Sequence, residues 1–333
     1  MNPRLAITIG DVNGIGPEII VKTFQNPEIL EQCWPLIIGS VEALERYVRH
    51  GDLLARSIRV SETELFSSPD RVCILEPSAS PVPDIAPGEL SAEAGKFAFE
   101  CVELAVRFAL AGQVDAIVTC PVSKAAVNMG GYPYAGHTEF LARLCDCADY
   151  RMMLVADNLR AVHVTTHLAL RDAVEQVTTA RVAGTIRLAH QALERLGIDR
   201  PRIAVAGLNP HAGEGTLFGT EEEDEIAPAI ESARAEGMDV SGPVPPDTVF
   251  VQMANGKFDV VVAMYHDQGH IALKLAAFNR TVNITLGLPI IRTSVGHGTA
   301  FDIAGKGIAD PSSLTEAVKL AATMAARTQQ PNR

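Results

Sequence analysis

His167, His211 and His266 each end or closely follow a short apolar run, and each sits in a polar turn: AVHVTTHLAL, RIAVAGLNPHAGEG and FDVVVAMYHDQGH. An apolar run that stops at a polar turn is the pattern of a buried strand delivering its last residues to one edge of a sheet. Three such strands can converge three imidazoles. Neutral imidazole is the commonest metal ligand, and three protein ligands with an open fourth position describe a catalytic rather than a structural metal site. Taken singly, each histidine reads more readily as a satisfied core or turn residue. Three of the nine histidines falling at the same structural punctuation favour the metal.

Other reactive residues lie near similar boundaries. In MYHDQGHIALKLAAF, His266, His270 and Lys274 are spaced four apart and share one face of a helix, with Asp267 beside them. NITLGLPIIRTS supplies Asn283 and Arg292 next to strand-like runs. An arginine between buried strands needs an anion, either a bound phosphate or carboxylate or an internal salt-bridge partner. CPVSKAAVNMGGYPYAGHTEF carries Ser123, Lys124, His137 and Thr138, and Thr138 could cap a helix, bind an anion, or both. Asp247, in GPVPPDTVF, is a carboxylate available to join the metal neighbourhood or to move a proton. SVGHGTAFDIAGKG gathers His297, Gly298, Thr299 and Asp302 in a small-residue loop, where backbone can approach a planar ring. A carboxylate there accepts bonds from ribose hydroxyls and repels a 2′-phosphate. The first turn, GDVNGIGPE, sets three glycines between a strand and a helix and could cradle an anion, but it matches neither GxGxxG nor the P-loop.

The elements that must position these residues alternate along the chain. RLAITIG, PLIIGS, VCILEP, VDAIVTC, RMMLVAD, AVHVTT, RIAVAG, FDVVVAM and TVNITLG are strand candidates. Helical segments lie between them, such as SAEAGKFAFECVELAVRFALAG and TARVAGTIRLAHQALERLG, the latter stopped by Gly197. Pro17 suits a helix start. The pattern predicts an α/β protein with mostly parallel strands covered by helices, whose polar turns share one edge. At 333 residues two domains are expected, and no Gly-, Ser- or Pro-rich linker separates them. The expected division is 1–130 plus 295–333 as a discontinuous first domain and 131–294 as a second, carrying much of the metal and substrate site. VPDIAPGEL is expected to form a surface loop before a long helix.

A hydrophobic content of 47% with 20% charged residues suits a soluble enzyme. A net charge of −12 argues against nucleic acid or an anionic membrane as partner, while leaving room for a small anion where basic groups gather. No secretory signal and no spanning stretch is evident, so cytoplasmic residence is the expectation. The six scattered cysteines are expected to be reduced thiols, and the lone CxC of Cys145 and Cys147 lacks a second pair.

GDVNGIGPE, PVSK, GHTEF, TTHLALRD, GLNPHAGEG, MYHDQGH, VNITLGLPIIRTS and HGTAFDIAGKG together resemble the 4-hydroxythreonine-4-phosphate dehydrogenase family of pyridoxal phosphate (vitamin B6) biosynthesis, over nearly the whole chain. The last string is also similar to the adenosine-binding loop of isopropylmalate and isocitrate dehydrogenases. The resemblance implies a fold like those enzymes, with two α/β/α domains and an active site in the interdomain cleft. It implies that His167, His211 and His266 hold one divalent metal, zinc or else cobalt, manganese or magnesium. It places His137, Thr138, Lys274, Asn283 and Arg292 on a phosphorylated substrate. His297, Gly298, Thr299 and Asp302 would contact NAD, Asp302 favouring it over NADP. It further implies a homodimer with a shared active site, so that the third histidine can come from the other chain.

The implied reaction is NAD-dependent oxidation of 4-phosphooxy-L-threonine to 2-amino-3-oxo-4-phosphooxybutanoate and decarboxylation to 3-amino-2-oxopropyl phosphate. Lys274 and Asp247 are the candidates for moving protons. Within the family, D-erythronate or D-threonate 4-phosphate is the alternative substrate. A metal-dependent phosphohydrolase using the histidines and Asp247 is a further reading, and it leaves HGTAFD without a purpose. Many relatives carry AGIG where this first turn has NGIG, a departure outside the expected contacts.

Overall fold

A computed structural model describes residues 2–47, 57–66, 71–77, 81 and 83–328. Its strands, in chain order, are β1 (Arg4–Thr8), β2 (Trp34–Ile38), β3 (Ser57–Arg59), β4 (Val72–Leu75), β5 (Ala116–Thr119) and β6 (Arg151–Ala156). There follow β7 (Leu159–His163), β8 (Arg202–Ala206), β9 (Asp239–Val244), β10 (Val260–Ala263), β11 (Val282–Leu286) and β12 (Arg292–Val295). The chain divides into two compact units, Met1–Ala148 with Leu288–Arg333, and Asp149–Gly287. Residues 131–148 and 288–294, expected in the second domain, lie in the first unit.

The first unit orders its strands β3-β4-β2-β1-β5-β12, all parallel. VCIL and AIVT are buried at every position, as strands covered on both faces must be. Parallel neighbours need crossovers. The helix Gly16–Gln25 lies between the neighbours β1 and β2, Ala92–Leu110 lies between β4 and β5, and Ser312–Thr328 follows β12. Phe24, Phe97 and Phe99 are fully buried, Phe99 stacked on Phe140 at 4.3 Å. Pro17 lies in the first turn of its helix, as its fixed φ favours.

The second unit runs β11-β6-β7-β10-β8-β9. β6 is antiparallel to both its neighbours, and toward β7 this follows from the two residues, Asp157 and Asn158, that join them, too few for a crossover. From β7 onward the pairing is parallel, with Ala263 opposite His163 and Val262 opposite Val205. The segments leaving β7, β10 and β8 therefore emerge at one edge. Leu154, Ala161, Ala204, Met253, Val261 and Leu273 pack a common core beneath. Thr179–Arg195 is helical, and Gly197 follows it at φ +94. No helix of the described residues is long and apolar enough to cross a membrane. All six cysteines are thiols, none of them in a disulfide.

Gly95 shows how tightly the first unit is built. A Cβ there would fall inside the Ala126 carbonyl of the next helix, Lys124–Met129. Alanine gains about 1 kcal/mol of helix propensity over glycine, but forced overpacking costs about 1–3 kcal/mol, or more against rigid backbone. Gly95→Ala is therefore expected to lower unfolding stability by about 2 kcal/mol, read from urea denaturation midpoints. Equal or higher stability would show that the two helices separate freely.

Candidate active site

In the second unit the polar turn after β7 is tied to the one after β10. Val164 N–H donates to Ala263 O at 2.8 Å, Thr165 N–H to Met264 O at 3.2 Å, and Thr165 Oγ1 to the same oxygen at 2.8 Å. These bonds bring His167 and His266 together, with ring centroids 5.7 Å apart. A cavity of about 300 Å³ opens here, lined by Thr165, Thr166, His167, Tyr265, His266 and Asp267 among others. His167 is exposed and takes φ 50, a left-handed backbone uncommon outside glycine. The carboxylate bonded to His266 is Asp267, at 2.6 Å from Nδ1, and this bond holds the Asp267 carboxyl below its ordinary range. Asp247 stands exposed in the first turn of the helix Pro246–Ala254.

His266 opens the helix His266–Ala277, and His270 stacks on it one turn later at 3.7 Å and 12°. The expected shared face is real for this pair. Beneath them lies His163, buried at the end of β7, which donates from Nδ1 to Met152 O at 3.1 Å. Burial pushes His163 down to about 4 and His270 down to about 3, so both rings are neutral at pH 7. With Nδ1 protonated, His163 Nε2 is an acceptor, and His270 Nδ1–H donates to it at 3.2 Å, shared with His266 O at 3.1 Å. His163 was not legible as part of this group, because a histidine inside an apolar strand looks like core. Lys274 is part-buried, its Nζ 5.9 Å from the Phe278 ring centroid, and Asn283 on β11 keeps a shielded Oδ1 without a hydrogen-bond partner.

His211 lies in the segment after β8. Residues 211–216 all take positive φ, four of them not glycine. Glu222 holds this segment's base. Its Oε1 accepts from Leu208 N–H at 2.8 Å and Asn209 N–H at 2.7 Å, and its Oε2 accepts from Asn209 Nδ2 at 2.9 Å. The glycines make room for it, since a Cβ at Gly213 would stand 2.9 Å from Oε2. His211 is exposed, with Phe218 its ring neighbour at 6.3 Å. Paired imidazoles beside a cavity suit a divalent cation. Among the described residues of one chain, however, no group of three His, Cys, Asp or Glu side chains is gathered to hold a metal ion.

The first unit holds the anion-binding candidates. His137 and Thr138 begin the helix His137–Leu144, whose N-cap is Gly136; Thr138 is buried in its first turn and is not the cap. Arg292 opens β12 and is buried, with Nη2 donating to Thr119 Oγ1 at 2.7 Å. Burial pushes its guanidinium down to about 9, against the opposing field of Glu139, and it stays charged at pH 7. Burial and then the Arg292 charge hold the His137 imidazole well below 6.5, so it is neutral, and its Nε2 is shielded without a hydrogen-bond partner. A fixed cation near a neutral ring nitrogen is suited to an anion carrying hydroxyl or phosphate oxygens.

His297, Gly298, Thr299 and Asp302 occupy the segment between β12 and the helix Ser312–Thr328. His297 Nδ1 donates to Gly298 O at 3.0 Å, leaving Nε2 shielded and without a partner. Space is open where a Gly298 Cβ would project, and Asp302 is exposed. A bare ring nitrogen, an open glycine face and an available carboxylate fit a dinucleotide.

The family of pyridoxal phosphate biosynthetic protein PdxA matches residues 31–321. The chain belongs to this family. A relative from Cupriavidus necator, D-threonate 4-phosphate dehydrogenase, is 50% identical, over 98% of each chain. The crystal structure of a 4-hydroxythreonine-4-phosphate dehydrogenase from Burkholderia phymatum is 43% identical and superposes with TM-score 0.83, covering 97% of this chain and 98% of that one. A β-decarboxylating dehydrogenase from Thermococcus kodakarensis, 16% identical with TM-score 0.52 over 95% of this chain and 82% of its own, shares the fold. The chain is thus a dehydrogenase with the α/β fold expected of it.

Two outcomes test this geometry. Because folded His137 titrates below its unfolded value, the unfolded chain takes up a proton first as pH falls through 6.5, and stability drops. Melting temperature is expected to fall from pH 7 toward pH 5, and His137→Gln should make that fall shallower; an identical slope would remove His137 as a contributor. Glu222→Ala strips acceptors from two backbone N–H groups and the Asn209 amide and should cost about 3 kcal/mol. Hydrogen exchange at 208–216 should rise well above that of β8, and unchanged protection there would reject the bracing role.

Proposed function

We propose that the chain oxidises D-threonate 4-phosphate with NAD and releases carbon dioxide. The observation that carries the substrate choice is the 50% identity over 98% of both chains with the Cupriavidus necator D-threonate 4-phosphate dehydrogenase. The phosphorylated end is supported by the buried Arg292 charge and the neutral His137 near it. The second reading, 4-phosphooxy-L-threonine, is favoured by the Burkholderia phymatum structure at 43% identity. The two substrates differ in their C2 substituent, hydroxyl or amine, and share the phosphate and the carbinol that reacts.

In this reading Arg292, His137 and Thr138 hold phosphate, and Lys274 and Asn283 bind the remaining oxygens, fixing the carbinol for reaction. The C3 hydroxyl loses its proton to a side chain, for which Lys274 and Asp247 are the candidates, and the C3 hydride passes to the nicotinamide C4. The product is a β-keto acid. Its carboxylate leaves as carbon dioxide, the electron pair delocalises onto the C3 oxygen, and protonation at C2 gives dihydroxyacetone phosphate. His297, Gly298, Thr299 and Asp302 take the adenosine end of NAD, Asp302 by accepting ribose hydroxyls. A divalent cation on His167, His211 and His266, in a set completed by a second copy of the chain, would supply Lewis acidity toward the substrate oxygens. Exposed Ile271, Leu275 and Phe278 on and just after the helix His266–Ala277 support a homodimer. Cytoplasmic residence belongs to the same reading.

The test measures NADH formation with each substrate, with and without EDTA. Faster turnover per KM of D-threonate 4-phosphate, abolished by EDTA and restored by a divalent cation, is expected. Preference for 4-phosphooxy-L-threonine would move the chain to the vitamin B6 reaction, and no NADH with either would overturn the reading. Turnover that survives EDTA would remove the metal.

A further inference from the structure

Asn13 stands in the first turn, GDVNGIGPE, and the structure gives this side chain a task. Asn13 is buried, 1% exposed, and every one of its polar groups is used. Its N–H donates to Asp11 Oδ1 at 3.0 Å, its Oδ1 accepts from Ala86 N–H at 2.8 Å, its Nδ2 donates to Glu89 O at 3.1 Å, and its carbonyl accepts from Gly88 N–H at 2.7 Å. One amide side chain thus grips both ends of the 86–89 turn, the Pro- and Gly-bearing stretch expected from sequence to be a plain surface loop.

That turn is seated against the segment that carries the dinucleotide candidates. A Cβ on Gly88, at φ +87, would stand 2.9 Å from Phe301 O, and one on Gly305 would stand 2.9 Å from Pro87 Cβ. The residues after Asn13 reach the same segment from the other direction. Ile15 N–H donates to Thr299 O at 3.0 Å, and a Gly14 Cβ would stand 3.0 Å from Thr299 Cβ. Residues 299–305 are therefore held between the first turn and the 86–89 turn, and Asn13 joins those two.

The geometry points to Asn13 as a positioning residue for the dinucleotide, acting through the 86–89 turn on Thr299 and Asp302. This rests on the NAD reading given above. Asn13 touches no reacting atom, so its loss should weaken dinucleotide binding while sparing the phosphorylated substrate. Leaving the Ala86 N–H and Glu89 carbonyl without their partner lets the turn shift, and loss of such a support is worth about tenfold in affinity.

Calorimetric titration of NAD into wild type, Asn13→Ala and Asn13→Ser, together with steady-state kinetics, tests this. Both variants are expected to raise the NAD dissociation constant and the KM for NAD by about tenfold, with kcat and the KM for the phosphorylated substrate within about twofold. Serine carries the experiment if the alanine protein does not fold. Wild-type NAD affinity in a folded variant, or an equal loss in both substrates' KM values, overturns the positioning role while leaving the NAD reading intact. Failure of the wild-type protein to bind NAD would instead overturn that reading, and the positioning role with it.

Discussion

Strands buried on both faces impose the main constraint on this molecule. A polar group inside such a sheet must find a partner or lose about 1–3 kcal/mol of stability, so chemistry is driven to the strand ends, where backbone turns toward solvent. The exceptions obey the same rule. His163 is tolerated because Met152 O and His270 satisfy both its nitrogens. Arg292 is tolerated with Thr119 Oγ1 as acceptor. Parallel pairing of β7 with β10 and of β10 with β8 then fixes which strand ends are neighbours. Reversing one of these strands would send its histidine to the opposite edge.

Delivery to an edge does not by itself orient a side chain, and both exposed histidines show what more is needed. His167 at φ 50 and His211 at φ 54 are held in backbone that most residues avoid. Strain of this kind persists only where surrounding bonds over-determine it, and it concentrates at functional sites. At His167 those bonds are the ties from Val164 and Thr165 to the β10 end. At His211 they come from Glu222, which sits in a π turn that widens its helix's first turn.

The fold was legible where apolar runs were unbroken. VCIL, AIVT and VVVA announce themselves as strands because nothing else buries so well. β9 was not legible, since DVSGPV contains glycine and proline, residues that a sheet admits at an edge, which is where β9 lies. The candidate residues were legible as types at punctuation points. Their supports were not: Glu222 and Asn13 act on backbone atoms far along the chain, and no local pattern distinguishes them from solvated polar residues. Residues 131–148 pack with the first unit, and because the chain enters the helix His137–Leu144 without any linker signal, only packing decides to which unit that helix belongs.

A net charge of −12 and a site suited to an anion look contradictory until distances are compared. At physiological ionic strength exposed charges are screened beyond about 8 Å, so most of that negative charge is invisible to a ligand seated in a pocket. A guanidinium about 4 Å from a phosphate oxygen, in surroundings of effective dielectric about 20, attracts it by about 4 kcal/mol. Burial of Arg292 raises this attraction, and the neutrality of His137 leaves the guanidinium free of a second, competing cation that would itself demand counter-charge. The same comparison separates a polyanion from a single small anion. A nucleic acid or an anionic membrane presents charge over many screening lengths and would meet the net negative charge of the whole chain, whereas a small anion in a pocket would meet chiefly the groups beside it, here Arg292 with Glu139 in its field.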